Sequence, residues 1–192
     1  MKNNRSGKSA VLTNSDYSKI RKNIISQKYK ILLDIAWYTG ERWGALVQLR
    51  KSDLYQDNGK PKSHITFRAR TRKASTDGTR KTRQIPINET LWNVLNSYSP
   101  KDGYLFPSKS HTETHITLRN ADQVLRKAVA KAGLEAKGIS THSTRVTFIT
   151  KLHEQGIDIY TIQQITGHKD LKALAGYINI SPDRIKNAIN LL

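Results

Sequence analysis

Cysteine is absent from the 192 residues, which excludes a disulfide framework, a thiolate zinc site and a cysteine nucleophile. Acids are scarce as well: 15 Asp and Glu stand against 33 Lys and Arg, a formal charge of +18. So lopsided a chain favours a polyanionic partner, because each phosphate it neutralises releases condensed counterions. Nucleic acid is the expected partner, and charge alone suits a structural RNA-binding protein as well as a DNA-binding one. No long basic amphipathic helix carries an aromatic face for an anionic membrane surface. No run approaches the ~18 apolar residues of a membrane span. The opening MKNNRSGKSAVL lacks the apolar core of a signal peptide. Together these absences point to an intracellular setting, in the cytoplasm beside the nucleoid. A phosphate-cradling glycine loop, a G-x-S-x-G elbow and paired carboxylates at a telling spacing are missing too. His111 and His115 in HTETH have no third ligand nearby, so no metal site is expected.

What is present reads as a mainly α-helical chain with one small antiparallel β-sheet, an α+β domain. Residues 1–12 are expected to be a flexible basic lead and residues 13–192 one domain. Asn14 or Ser15 offers a cap for a first helix. YKILLDIAWYTG is dense in apolar residues and stops at Gly40, and ERWGALVQLRKSDL supplies a second, short helix. The period then changes. SHITFRAR and TRQIPI alternate apolar and polar residues around an Asp77-Gly78 turn signal, which predicts a hairpin over about 64–87. Helical patterns resume in NETLWNVLNSY. RNADQVLRKAVAKAG places Ala121, Val124, Leu125, Ala128, Val129 and Ala132 on one face. THSTRVTFITKLHEQG, DIYTIQQITG, DLKALAGY and SPDRIKNAINLL follow. GYLFPS reads as a loop or short strand.

Several side chains could carry chemistry. His142 and Arg145, three apart on a predicted helix, share a face, so a proton carrier sits beside a permanent cation. Arg42 follows the Gly40 stop at a helix start, where backbone N–H groups and a forked guanidinium both favour an anion. Arg68, Arg70, Arg72, Lys73, Arg80, Lys81 and Arg83 crowd the hairpin against one acid, Asp77. A ribbon so charged can lie along a DNA groove with its cations on phosphates. It can also be a solvated edge strand. Gly167-His168 ends a helix, and Tyr177 follows nine residues after His168. Alone, such a Tyr reads as core packing.

Read in order, these pieces resemble the tyrosine recombinases of the phage integrase family. TGER with LVQLRKSDL is similar to that family's T-G-x-R box with Leu and Asp downstream. THSTRVTFIT resembles its H-x-x-R box, and GHKDLKALAGY its G-H box with the reactive Tyr nine residues on. The similarity runs from about residue 12 to the C-terminus. It implies cleavage and rejoining of double-stranded DNA through a covalent 3′-phosphotyrosine, with neither metal nor ATP. It implies Tyr177 as nucleophile and Arg42 and Arg145 as holders of the non-bridging oxygens. His142 is then the general base toward Tyr177, and His168 a donor to the phosphate. A hairpin lysine protonates the leaving 5′-oxygen: Lys73 is preferred, with Lys81 as the alternative. Recombination pairs two sites, so a homo-tetramer on DNA is implied.

The chain also departs from the pattern. Three residues after Arg42 the family often carries an acid that supports that arginine, and here Ala45 stands instead. Thr166 precedes Gly167-His168 where many members have Leu. About a dozen residues precede the catalytic region, where many members carry a separate DNA-clamping domain. The chain is thus either a fragment or similar to short members such as the fimbrial phase-variation recombinases. The last helix, with Ile185, Ala188, Ile189 and Leu192 on one face, could dock on a neighbouring subunit or on its own domain. Two other readings share much of the sequence signal: a type IB topoisomerase-like enzyme, and a catalytically inactive basic DNA-binding module.

Overall fold

The computed structural model describes residues 9–71, 81–109, 113–168, 170–177 and 189–190. The chain divides into two compact units, residues 1–148 and 149–192. Eight α-helices and one two-stranded sheet are found among the described residues: α1 Asn14–Asn23, α2 Gln27–Thr39, α3 Trp43–Leu46, β1 His64–Phe67, β2 Arg83–Pro86, α4 Glu89–Asn96, α5 Leu118–Lys131, α6 Ser143–Glu154, α7 Ile159–Thr166 and α8 Leu171–Ala175. This is the mainly helical fold with a small antiparallel sheet that the sequence pattern predicts.

In the first unit, Thr13 rather than Asn14 or Ser15 caps α1, in a reciprocal capping box with Asp16. α1 packs on α5 and α2 on α4. α2 is buried without a break from Ile31 through Trp37, because its apolar residues there run round the helix instead of along one stripe. Its buried Asp34 is held by a two-pronged bond from Arg21 (2.7 and 2.9 Å) and by the Tyr17 hydroxyl at 2.6 Å. The expected face of α5 is the one turned inward: Ala121, Leu125, Ala128 and Val129 are buried, and Val124 and Ala132 pack beside them.

The strands pair antiparallel with Ile65 opposite Ile85 and Phe67 opposite Arg83, so Ile65, Phe67 and Ile85 face the core. β1 is shorter than the alternation suggests. It ends at Phe67, and Ala69–Thr71 form a 3-10 turn. The Asp77-Gly78 turn lies outside the described residues. GYLFPS forms only isolated bridges, Tyr104 with Arg50 and Pro107 with His115, around the buried Leu105 and Phe106.

The expectation of a loose lead fails for residues 9–12. Ala10 and Leu12 are buried, and the Leu12 N–H donates to Thr147 Oγ1 at 2.8 Å. Two apolar side chains in a basic segment supply enough burial to tie the backbone down.

In the second unit, α7 and α8 pack around Ile149, Ile162 and Leu174. The predicted final helix lies outside the described residues apart from Ile189 and Asn190. No described helix is long and apolar enough to cross a membrane.

Candidate active site

The first unit contains a cleft of about 470 Å³ built at the turn between α2 and α3. α2 ends because Gly40 adopts φ +59°, a left-handed conformation that side chains disfavour. A Cβ at Gly40 would lie 2.4 Å from the Phe148 ring, so glycine is required by space as well. Thr39 locks the turn: its hydroxyl donates to Ile35 O at 2.6 Å and accepts from the Glu41 N–H at 3.2 Å. The chain then enters α3 with Arg42 as its extended cap residue.

The turn brings Arg42 and the first turn of α6 to one cleft, which Glu41, Arg42, Ala45, Arg70, Thr71, His142 and Arg145 line together with Trp43 and Thr141. Arg145 is 1% exposed, and its Nη1 donates to Gly40 O at 2.9 Å. The glycine that ends one helix therefore also holds the arginine of another. Trp43 Nε1 donates to Thr144 Oγ1 at 3.2 Å, a second tie between the α3 and α6 segments. Arg42 is part-buried, and its guanidinium forms no ion pair among the described residues. His142 is held below the ordinary imidazole range, first by burial and then by the charges of Arg145 and Arg42. It is therefore largely neutral at pH 7 and able to accept a proton.

A buried acid is also present that the sequence reading passed over. Glu41 is 1% exposed. Its Oε1 accepts from the Arg42 N–H at 2.7 Å and lies 3.9 Å from Arg145 Nη1. Its Oε2 accepts from Arg83 Nη2. The missing acid at position 45 was the available signal. A search on either side of Arg42 would have found Glu41 in the variable position of TGER.

The hairpin cations fall into separate groups. Arg68 Nε is paired with Asp53 at 2.7 Å and its Nη2 reaches Ser52 Oγ at 3.1 Å. Arg83 is turned onto Glu41 and over the Phe67 ring. Arg70 lines the cleft, and Lys81 is exposed two residues before β2 begins. Arg72, Lys73 and Arg80 lie outside the described residues.

In the second unit, Gly167 at φ +65° ends α7 and turns the chain to His168. Thr166 is fully buried. Its Oγ1 lies 2.7 Å from Ile162 O and 2.7 Å from His168 Nδ1. A carbonyl only accepts, so the hydroxyl proton goes to Ile162 and Thr166 accepts from His168 Nδ1–H. The replacement of the usual Leu thus orients the imidazole. Tyr177 sits just past α8, its ring centroid 5.7 Å from that of His168 and tilted by 47°. It packs against the small apolar cluster, and its carbonyl accepts from Thr150 Oγ1 at 3.4 Å. Each unit thus gathers part of the predicted set: Arg42, His142 and Arg145 in one, His168 and Tyr177 in the other.

The profile described as "Phage integrase family" matches residues 10–184, and the chain belongs to that family. The integrase of Escherichia phage 186 is 30% identical over 154 residues, covering 80% of this chain and 38% of the phage protein. Tyrosine recombinase XerD of Rickettsia bellii is 29% identical over 170 residues, covering 82% of this chain and 53% of its own length. This chain therefore spans about half or less of these relatives. Among solved structures, XerH site-specific recombinase bound to difH substrate in a pre-cleavage complex shares the fold. Its TM-score is 0.66 at 21% identity, covering 97% of this chain and 56% of that one.

Proposed function

We propose that this chain is the catalytic domain of a site-specific DNA recombinase that cuts and rejoins strands through a 3′-phosphotyrosine at Tyr177. The observation that carries this reading is the first-unit cleft. There Arg42, whose guanidinium has no counter-ion among the described residues, meets a buried guanidinium, Arg145, and an imidazole held toward its neutral form, His142. Such a set suits the charge of a phosphodiester and the uptake of a proton. Membership in the phage integrase family supports the same reading, as does a fold shared with a recombinase bound to its DNA substrate.

In the forward step the Tyr177 oxygen forms a bond to phosphorus as the bond to the 5′-oxygen breaks. The phenolic proton passes to His142, and Lys73 gives a proton to the departing 5′-oxygen. Arg42 and Arg145 bind the non-bridging oxygens and stabilise the charge that builds on them. His168 donates to the phosphate, its ring set by the Thr166 hydroxyl 2.7 Å from Nδ1. The phosphotyrosine keeps the energy of the phosphodiester, so a second 5′-hydroxyl can reverse the step without ATP. Exchange between two duplexes calls for four such sites, hence a homo-tetramer on DNA.

The test uses a nicked duplex whose cleaved strand loses a short 5′-hydroxyl fragment, trapping the intermediate. A denaturant-stable protein–DNA adduct is expected, absent from Tyr177→Phe. An adduct that persists in Tyr177→Phe overturns the assignment of the nucleophile. Relaxation of supercoiled DNA by a monomer without strand exchange would favour the topoisomerase-like reading instead.

A further inference from the structure

Glu41 is the only acid lining the cleft among the described residues, and it is almost fully buried. A carboxylate withdrawn from water persists as an anion only when cations and donors surround it. Here they do: the Arg42 backbone N–H and Arg145 share one oxygen, and Arg83 takes the other. Arg145 has the matching need, since a guanidinium at 1% exposure needs a nearby negative charge before any phosphate arrives. Glu41 supplies it at 3.9 Å, close enough to balance charge but too far to occupy the guanidinium as a hydrogen-bonded pair would. Arg42, by contrast, has its backbone tied to Glu41 and its guanidinium left to the cleft. Arg83 links β2, and so the lysine-bearing hairpin, to the same carboxylate.

We infer that Glu41, anchored by Arg83, is the positioning residue for both arginines, and that it stands in for the acid absent at position 45. The inference rests on the proposed function. The carboxylate approaches from the residue before Arg42 instead of the helical turn after it. Ala45 lines the same cleft, so a carboxylate returned to that position has the room to reach the arginines.

The experiment compares wild type, Glu41→Gln and the double variant Glu41→Gln/Ala45→Glu. Three readouts are taken: single-turnover cleavage at saturating nicked DNA, the Kd for the same DNA, and the exchange of the Arg145 Nε–H by NMR in the free protein. Glu41→Gln keeps the shape and removes the charge. Its cleavage rate constant is expected to fall by about 10²-fold, the scale of misplacing a reacting group by roughly 1 Å. Its Kd should stay within about twofold, the hallmark of an interaction made in the transition state. Arg145 Nε–H exchange should quicken, and the double variant should regain most of the lost rate. Cleavage by Glu41→Gln within about twofold of wild type overturns the inference. So does a loss that Ala45→Glu leaves unrepaired while the thermal midpoint drops in parallel, the mark of a merely structural acid. If wild type itself forms no adduct, the functional reading fails. The Nε–H comparison then still decides whether Glu41 holds Arg145.

Discussion

His142 shows how a single residue acquires its chemistry from its neighbours. Its ring is half-buried, and two guanidinium groups of the same cleft add to the burial, all three favouring the neutral form. Because the folded pKa is depressed below the ordinary 6.5, protonation of His142 opposes folding. The stability this group contributes is present above pH 6.5 and is lost as pH falls toward the folded value. The proposed base is thus available throughout the neutral range. Replacing Arg42 with Gln removes one of the two nearby charges and leaves Arg145 and the burial. The His142 midpoint, followed by its Hε1 resonance, should therefore rise while staying below 6.5. An unchanged midpoint would mean that Arg42 does not bear on the imidazole. Thr166 fixes His168 by a different route: one hydroxyl bridges a helix carbonyl and the ring and sets its orientation.

Among elements, the hairpin carries the most divided duties. β1 and β2 are brief, four residues each, and their inward Ile65, Phe67 and Ile85 fasten the ribbon to the core. Arg68 and Arg83 are consumed at its base by Asp53 and Glu41. The other hairpin cations are the ones proposed to act on DNA, and Lys73 and Lys81 are the alternatives for the proposed general acid. Leaving-group chemistry separates the two. A 5′-oxygen needs a proton as it departs, whereas a bridging 5′-sulfur, whose thiol pKa is near ~8.5, leaves as the anion. Lys73→Ala should slow cleavage of ordinary DNA by roughly 10²–10⁴-fold, the usual worth of general acid catalysis. It should cut the sulfur-bridged substrate at close to the wild-type rate. Rescue of Lys81→Ala instead would move the role to the return strand.

At the scale of the whole molecule, the formal +18 charge leads the proposed DNA binding to weaken with salt. Each phosphate neutralised on duplex DNA contributes a slope of about −0.9 to log K against log salt. A footprint of about six phosphates gives a slope near −5 and a loss of roughly 10³ in affinity between 50 and 200 mM salt. Titration of binding over that range by fluorescence anisotropy checks it. A flat response would show that the charge excess serves something other than the DNA backbone.

Much of this was legible in one dimension because the signals are local. The 3.6-residue apolar period marks α5, and the Gly stops at 40 and 167 mark helix ends. Alternation marks the hairpin, and the order of the TGER, HSTR and GHK boxes marks the family. What failed locally was competition between near-equal options. Thr13 took the cap from Asn14 and Ser15 because it alone has Asp16 three residues on to complete the reciprocal bonds. β1 stopped at Phe67 because the next carbonyl, that of Arg68, is taken by the N–H and hydroxyl of Thr71 in a tight turn, while the Arg68 side chain pairs with Asp53 fifteen positions back. The lead was expected to be loose because its composition is polar, and the pocket that receives Ala10 and Leu12 is not written near them. Sequence by itself thus determined the helices, the paired strands, the charge and the side chains proposed to react, each encoded within a few consecutive residues. Tertiary structure alone decided that Glu41 would balance Arg145 and Arg83, and that the Gly40 carbonyl would hold a guanidinium from 105 residues away. Such pairings follow from which surfaces pack together, and no local spacing specifies them.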